Sequence, residues 1–259
     1  MTSARQHVVS SYTIVKGSML EETYVVMRDW DFDRSREENL RDVRDNNFIG
    51  ARSANWLVEV CKVLHRRFNP NTVDRALPLL AKAGVSMEVW KPIQLWHMTR
   101  DEFLLRDFLT NWLYGEYQAG ALAIRTDDVM PYLKGLHTKG LVDEAWKDST
   151  LKRVASALLR MTVDFGLMFG TTTRAFTSYH IPEDSFLYLM HAMYDKHRNA
   201  ADVVHSPDWR LFLMSPRDVE RELLRLHQFR RLRYEVAGSL VALTLPCSSA
   251  AAFVEEMAA

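Results

Sequence analysis

Within residues 215–246 a helix-period pattern gives way abruptly to a strand-period pattern, and few folds accommodate that junction. Ser215-Pro216-Arg217-Asp218 has the form of a helix start: a hydroxyl N-cap, proline at the first helical position and an acid at the third. Val219, Leu223 and Leu226 then recur at helical spacing on one face, with Phe229 at its margin. Arg217, Arg221 and Arg225 fall on roughly the opposite side, where Leu224 intrudes at the edge. Next, Leu232, Tyr234 and Val236 alternate with Arg231, Arg233 and Glu235, the period of a half-buried strand. Gly238-Ser239 suits a tight turn, Val241, Leu243 and Leu245 continue the alternation, and Pro246 ends it.

Upstream, residues 182–196 carry Phe186, Leu189, Met190 and Met193 as a scaffold helix would, and Ser206-Pro207-Asp208 opens a very short helix through Leu213. Helix, short helix, helix and hairpin is the order of a winged helix, which inserts a helix into the DNA major groove while its wing touches the backbone. Arg217, Arg221, Arg225, Arg230, Arg231 and Arg233 are the candidate contacts. Two plainer readings stand beside this one. Asp218 with Arg221, and Glu222 with Arg225, suit surface ion pairs one turn apart. Winged helices also serve as protein-docking modules.

Charge restricts how such a unit could hold nucleic acid. The 33 basic and 33 acidic residues cancel, so any affinity must come from local patches rather than a cationic coat. Between Arg210 and Glu235 seven arginines face four acids, a modest patch. Cys61 and Cys247 are too few and too isolated for a disulfide framework or a zinc site. The N-terminus has no long apolar core typical of a signal peptide, and the best membrane candidate, residues 154–170, is broken by Arg160 and Asp164. A soluble, cytoplasmic protein is expected.

Length allows one to three domains. Residues 1–10 read as a disordered lead. Capping-box patterns follow at Ser18 with Glu21, Ser35 with Glu38 and Thr99 with Glu102, and Asn71 with Asp74 is related. They predict helices near 18–30, 35–46, 53–68, 72–83, 87–98 and 100–118, with kinks or breaks at Pro78 and Pro92. Gly115, Gly120 and Arg125-Thr126-Asp127-Asp128 mark a boundary near residue 120. Beyond it, helices are expected at 127–136, 141–146 and 150–168, and the threonine- and aromatic-rich residues 171–181 suit a strand or wing. The order resembles that of the C-terminal unit. The expected fold is therefore mainly α: a helical N-terminal domain over residues 1–120, a winged-helix-like unit over 121–181 and a C-terminal winged-helix unit over 182–259, with short β-hairpins.

Two further segments offer contacts. Ser149-Thr150-Leu151-Lys152-Arg153, with Ser156 and Arg160 beyond, places hydroxyls and cations at a helix start, where free N–H groups and the dipole favour phosphate. An ordinary cap followed by solvated cations explains the same residues. In the N-terminal half, a helix over 39–46, the turn Asn47-Phe48-Ile49-Gly50 and a helix opened by Arg52, Ser53 and Asn55 are compatible with another helix-turn-helix. They fit a plain helical hairpin equally well. Leu57, Val60, Val63 and Leu64 form the apolar stripe behind, and Lys62, Arg66 and Arg67 suit a helix C-terminus.

Catalysis requires a convergent constellation. Asp29, Asp31 and Asp33 alternate, yet no second acidic cluster or lysine accompanies them at nuclease spacing. Glu144 and Lys147 near Asp143 superficially suggest a nuclease triad, but on an expected helix rather than paired strands. His191 and His197 would point to different sides of one helix, and lone histidines such as His97 suit packing. There is no Gly-rich phosphate loop and no nucleophile elbow. No enzyme activity, cofactor or metal is expected.

Ser149-Thr150-Leu151-Lys152-Arg153 runs into Leu158-Leu159-Arg160-Met161 and Phe165-Gly166-Leu167, and Glu38-Asn39-Leu40 precedes them. Ser215, Val219, Tyr234-Glu235-Val236-Ala237-Gly238 and Val241 close the pattern, which spans from about residue 12 to the end. In the order and spacing of these segments the chain resembles the BrxA family, the small A component of BREX phage-defence systems. The resemblance implies a mostly helical protein with winged-helix elements that binds double-stranded DNA beside the system's methyltransferase, ATPase and phosphatase-like components. Family members have often been labelled inner-membrane proteins, against which Arg160 and Asp164 argue here. It brings no catalytic motif and no residue-level DNA contacts. The expected function is a non-enzymatic subunit holding duplex DNA mainly through phosphates. The alternatives are a protein-docking adaptor or regulator that assembles BREX subunits, and an RNA-binding helical bundle.

Overall fold

A computed structural model describes residues 9–142, 144–238 and 240–259. Most of the expected N-terminal lead (residues 1–8), Asp143 of the nuclease-like trio and Ser239 of the hairpin turn lie outside the described residues.

The first half is helical: α1 (Ser11–Ile14), α2 (Leu20–Arg28), α3 (Arg36–Asn46), α4 (Ala54–Arg67), α5 (Ala76–Lys82) and α6 (Met87–Met98). The capping box at Ser35 forms, with the Ser35 hydroxyl accepting from the Glu38 N–H and the Glu38 carboxylate accepting from the Ser35 N–H. The other patterns do not cap, because their side chains are engaged elsewhere. Ser18 donates to the Asp164 carboxylate at 2.6 Å, and Met19, in a left-handed conformation, starts α2 instead. Thr99 ends α6 and donates to the Trp96 carbonyl, while Glu102 is buried with Arg67 and Thr13. Asn71 accepts from the Trp30 indole, and Asp74 faces His97. Residues 72–75 are a turn, so Pro78 lies in the first turn of α5, where its missing N–H matters little. α6 runs on through Pro92.

The expected helix over 100–118 is three consecutive stretches: α7 (Phe103–Asp107), a π-helical turn (Phe108–Leu113) and α8 (Tyr114–Gln118). Next come strand β1 (Ala123–Arg125), α9 (Thr126–Thr138), α10 (Asp148–Asp164), β2 (Met168–Phe169) and β3 (Thr173–Phe176). The strands form an antiparallel sheet in the order β1-β3-β2, with Arg125 opposite Thr173 and Phe169 opposite Ala175. The short helix expected at 141–146 is absent among the described residues, which form bends and irregular backbone there.

The C-terminal third holds α11 (Glu183–His197), α12 (Ala200–Val204), a 3-10 turn (Pro207–Phe212), α13 (Pro216–Gln228), the hairpin β4 (Arg233–Ala237) and β5 (Leu240–Thr244), and α14 (Ala250–Ala258). The full capping box at Ser215 forms as the sequence pattern requires. α13 buries Val219, Leu223 and Leu226. In the hairpin Leu232 and Tyr234 are buried, but Val236 is 54% exposed because the strand runs beyond the core there.

Contacts cross both residue 120 and residue 181. Trp96 donates to the Asp208 carboxylate at 2.8 Å, and Arg106 pairs with the same group. His97 on α6 meets Tyr188 on α11, and α14 packs on α5 and α11. Phe186 stacks on Trp209 with ring centroids 4.9 Å apart, both fully buried. Burying one such side chain contributes about 2–3 kcal/mol. No helix among the described residues is long and apolar enough to cross a membrane.

Candidate nucleic-acid interface

α10 is amphipathic over its whole length. Leu151, Val154, Ala155, Leu158 and Leu159 are buried, while Ser149, Lys152, Arg153, Ser156 and Arg160 are exposed on the other side. The helix starts two residues earlier than the sequence predicts, so Ser149 and Thr150 lie in its first turn and cap nothing. Among the described residues Lys152, Arg153 and Arg160 have no ion-pair partner, so their charge is available to an anion.

Neighbouring elements extend this stripe. The hydroxyl of Thr126, the first residue of α9, lies 3.4 Å from that of Ser156. Arg125 donates through Nε to Thr173 on β3 at 3.2 Å, and its backbone N–H is taken by Asp128 at 2.7 Å. Arg174, beside them on β3, is half-buried. Its Nε–H has no partner among the described residues, and burial pulls its pKa down. Arg125 and Thr126 escape the sequence reading because their four-residue segment has the composition of a linker. Only the long-range pairing of β1 with β3 reveals it as part of the surface.

The α13 arginines stand differently. Both i, i+3 pairs form, Arg221 with Asp218 at 3.2 Å and Arg225 with Glu222 at 2.6 Å. Arg225 also reaches Glu183 of α11 at 3.1 Å and packs over the Phe229 ring. Its hydrogen bonds to Glu222, then to Glu183, raise its pKa further. Arg231 donates to Glu183 at 2.6 Å, and Arg233 to Glu235 at 2.9 Å. Of the six arginines named from the sequence, Arg217 and Arg230 have no ion-pair partner among the described residues.

At the third candidate, Ser53 caps α4 by accepting from the Trp56 N–H at 3.2 Å, and Arg52 and Asn55 are exposed. Among the described residues, these three share no hydrogen bond or ion pair with the α10 or α13 groups. Between them lies α8, where Tyr117 packs on Phe176 of β3 and Tyr114 carries the guanidinium of Arg210, on the 3-10 turn before α13, at 5.3 Å. Among the described residues no three histidine, cysteine, aspartate or glutamate side chains gather as a metal site would require. Asp31 accepts from the Asp33 N–H and pairs with Arg34.

Fold and surface thus define a mostly helical protein with two helix-then-hairpin units, each bearing arginines. The BrxA family model matches residues 11–192, and the chain belongs to the BrxA family, which associates it with BREX phage-defence systems. A comparison with curated proteins finds no match. α10 and its hairpin lie inside the matched residues, and α13 lies beyond them.

Proposed function

We propose that this chain is a non-enzymatic DNA-binding component of a BREX system that holds duplex mainly by its phosphates. The observation that carries the reading is the outward stripe of α10, whose three cations are unneutralised among the described residues. The start of α9 and the β2–β3 hairpin flank that stripe, so the residues from β1 to β3 have the parts of a winged helix. On this reading the residues 121–181 grip the backbone, and the C-terminal winged-helix unit adds a second contact through α13. The methyltransferase, ATPase and phosphatase-like components of the system would act on the same DNA beside it.

The test is duplex binding at two salt concentrations by wild type and by Lys152→Glu/Arg153→Glu/Arg160→Glu. Each phosphate contact contributes about 0.9 to the slope of log affinity against log salt, so the triple variant should bind more weakly with a slope shallower by about three. A folded triple variant that binds as wild type does would sink the assignment to α10.

A second reading, an adaptor that docks BREX subunits, draws support from Phe169 and Phe229, both exposed beside the hairpins. Absence of duplex binding even at low salt favours it. Preference for structured or single-stranded RNA over duplex would instead support the RNA reading.

A further inference from the structure

We infer that α13 discriminates bases rather than gripping backbone, with Leu224 packing on the 5-methyl group of a thymine in the major groove. This rests on the duplex reading above and refines it.

The outward line of α13 is Arg217, Arg221, Leu224 and Gln228, all exposed. Their spacing of four, three and four keeps them on one stripe of the helix. Eleven residues of rise carry the stripe about 16 Å, roughly five base-pair steps. The chemistry matches what major-groove edges present. Arginine forks onto guanine O6 and N7, glutamine onto adenine N6 and N7, and an apolar side chain covers the thymine methyl. Leu224 is 49% exposed although a charged or polar residue would be less costly in water, and the α10 stripe has no apolar residue in the equivalent place.

The charges around the stripe favour reading over gripping. Of the cations beside the stripe, Arg225, Arg231 and Arg233 are held by Glu222, Glu183 and Glu235, which leaves Arg230 as the exposed cation of that segment without an ion-pair partner among the described residues. Arg217 has no ion-pair partner among the described residues. Arg221 leans on Asp218, but its side chain is 78% exposed, and a surface pair of that kind contributes little and yields readily to a better acceptor. The anionic groove therefore meets two mobile cations, one amide and one apolar contact. The units divide their work: α10 holds the backbone and α13 inspects sequence.

The experiment is enrichment of bound sequences from randomised duplex by the full chain, followed by titration of the enriched site with thymine replaced by uracil, position by position. A preferred motif should emerge. Uracil at one position should weaken wild-type binding about fourfold, the worth of one buried methyl group. Leu224→Ala should bind the thymine and uracil sites alike. Duplex binding with no enriched motif overturns base reading by α13 while leaving the phosphate reading intact. A uracil penalty that persists in Leu224→Ala overturns the role of Leu224. No duplex binding under any condition removes the DNA reading itself.

Discussion

Arg225 of α13 lies 3.1 Å from Glu183 of α11, forty-two residues earlier in the chain, and the same carboxylate receives Arg231 at 2.6 Å. Glu183 therefore fastens the outward helix to its scaffold and fixes the segment leading into the β4–β5 hairpin. A residue so engaged serves the fold before it serves a ligand. Arg225→Ala should lower stability by about 1 kcal/mol, a value kept small because the pair is open to solvent. Duplex affinity should change less than twofold. Urea denaturation and a duplex titration measure the two effects, and a large loss of affinity at unchanged stability would return Arg225 to the DNA contacts.

A buried chain of hydrogen bonds gives stability a defined pH dependence. His97 Nδ1 lies 2.7 Å from the Asp74 carboxylate and Nε2 lies 2.7 Å from the Tyr188 hydroxyl, so a neutral ring with its proton on Nδ1 satisfies all three groups. Burial lowers the His97 pKa from its ordinary 6.5, outweighing the pull of Asp74. Burial raises that of Asp74, but the hydrogen bond and charge of His97, with help from the Asn69 N–H and Arg100, carry it below its ordinary 3.8. Below pH 6.5 the unfolded chain binds a proton that folded His97 resists, so stability falls with pH. A further loss follows below 3.8 as the unfolded state protonates Asp74 first. The urea midpoint should drop between pH 7.5 and pH 5.5, and a folded His97→Gln variant should show a shallower drop. His191, whose pKa burial also lowers, keeps it from vanishing. Equal slopes for variant and wild type would show that His97 does not titrate as argued.

The sequence made some of this legible and hid the rest for physical reasons. α13 could be placed almost to the residue because its cap, its proline and its apolar stripe are all local. β1 was not visible: it is three residues long, and its partner β3 begins 48 residues after it closes. α12 and α14 are hidden as well, being five and nine residues long with little periodicity to detect. Ser18 and Thr99 carry the same capping pattern as Ser35 yet bond elsewhere, Ser18 to the distant Asp164 and Thr99 back to the Trp96 carbonyl, while Glu102 is taken by Arg67. At the surface, the i, i+3 pairs of α13 were readable, whereas the claim of Glu183 on two arginines depends on how α11 packs.

Arg67 on α4 is fully buried, donating to Glu102 at 2.9 Å, to the Thr13 carbonyl at 2.9 Å and to the Ser18 carbonyl at 3.3 Å. The pair ties α1, α4 and the start of α7 together. Removing one member strands the other charge in the core, so Arg67→Leu should cost about 3–5 kcal/mol. Arg67→Leu/Glu102→Leu removes both charges and should recover a substantial part of that loss. Denaturant midpoints for the two single variants and the double close the cycle. A double variant as unstable as the sum of the singles would mean that lost packing, not a stranded charge, dominates.

Gly170 joins β2 to the turn before β3 with φ at +108°, and a Cβ there would stand 2.3 Å from the Thr173 carbonyl oxygen. That approach is too close for any side chain, and the carbonyl belongs to backbone and cannot swing aside. Gly170→Ala must therefore open the turn, moving Thr173 and Arg174 away from Arg125. The penalty should exceed about 1 kcal/mol because the left-handed backbone and the clash act together. If the hairpin flanks bound DNA, duplex affinity should fall several-fold under conditions where far-ultraviolet dichroism still shows native helix content. Loss of stability with unchanged affinity would leave α10 as the grip and remove the β2–β3 hairpin from the interface.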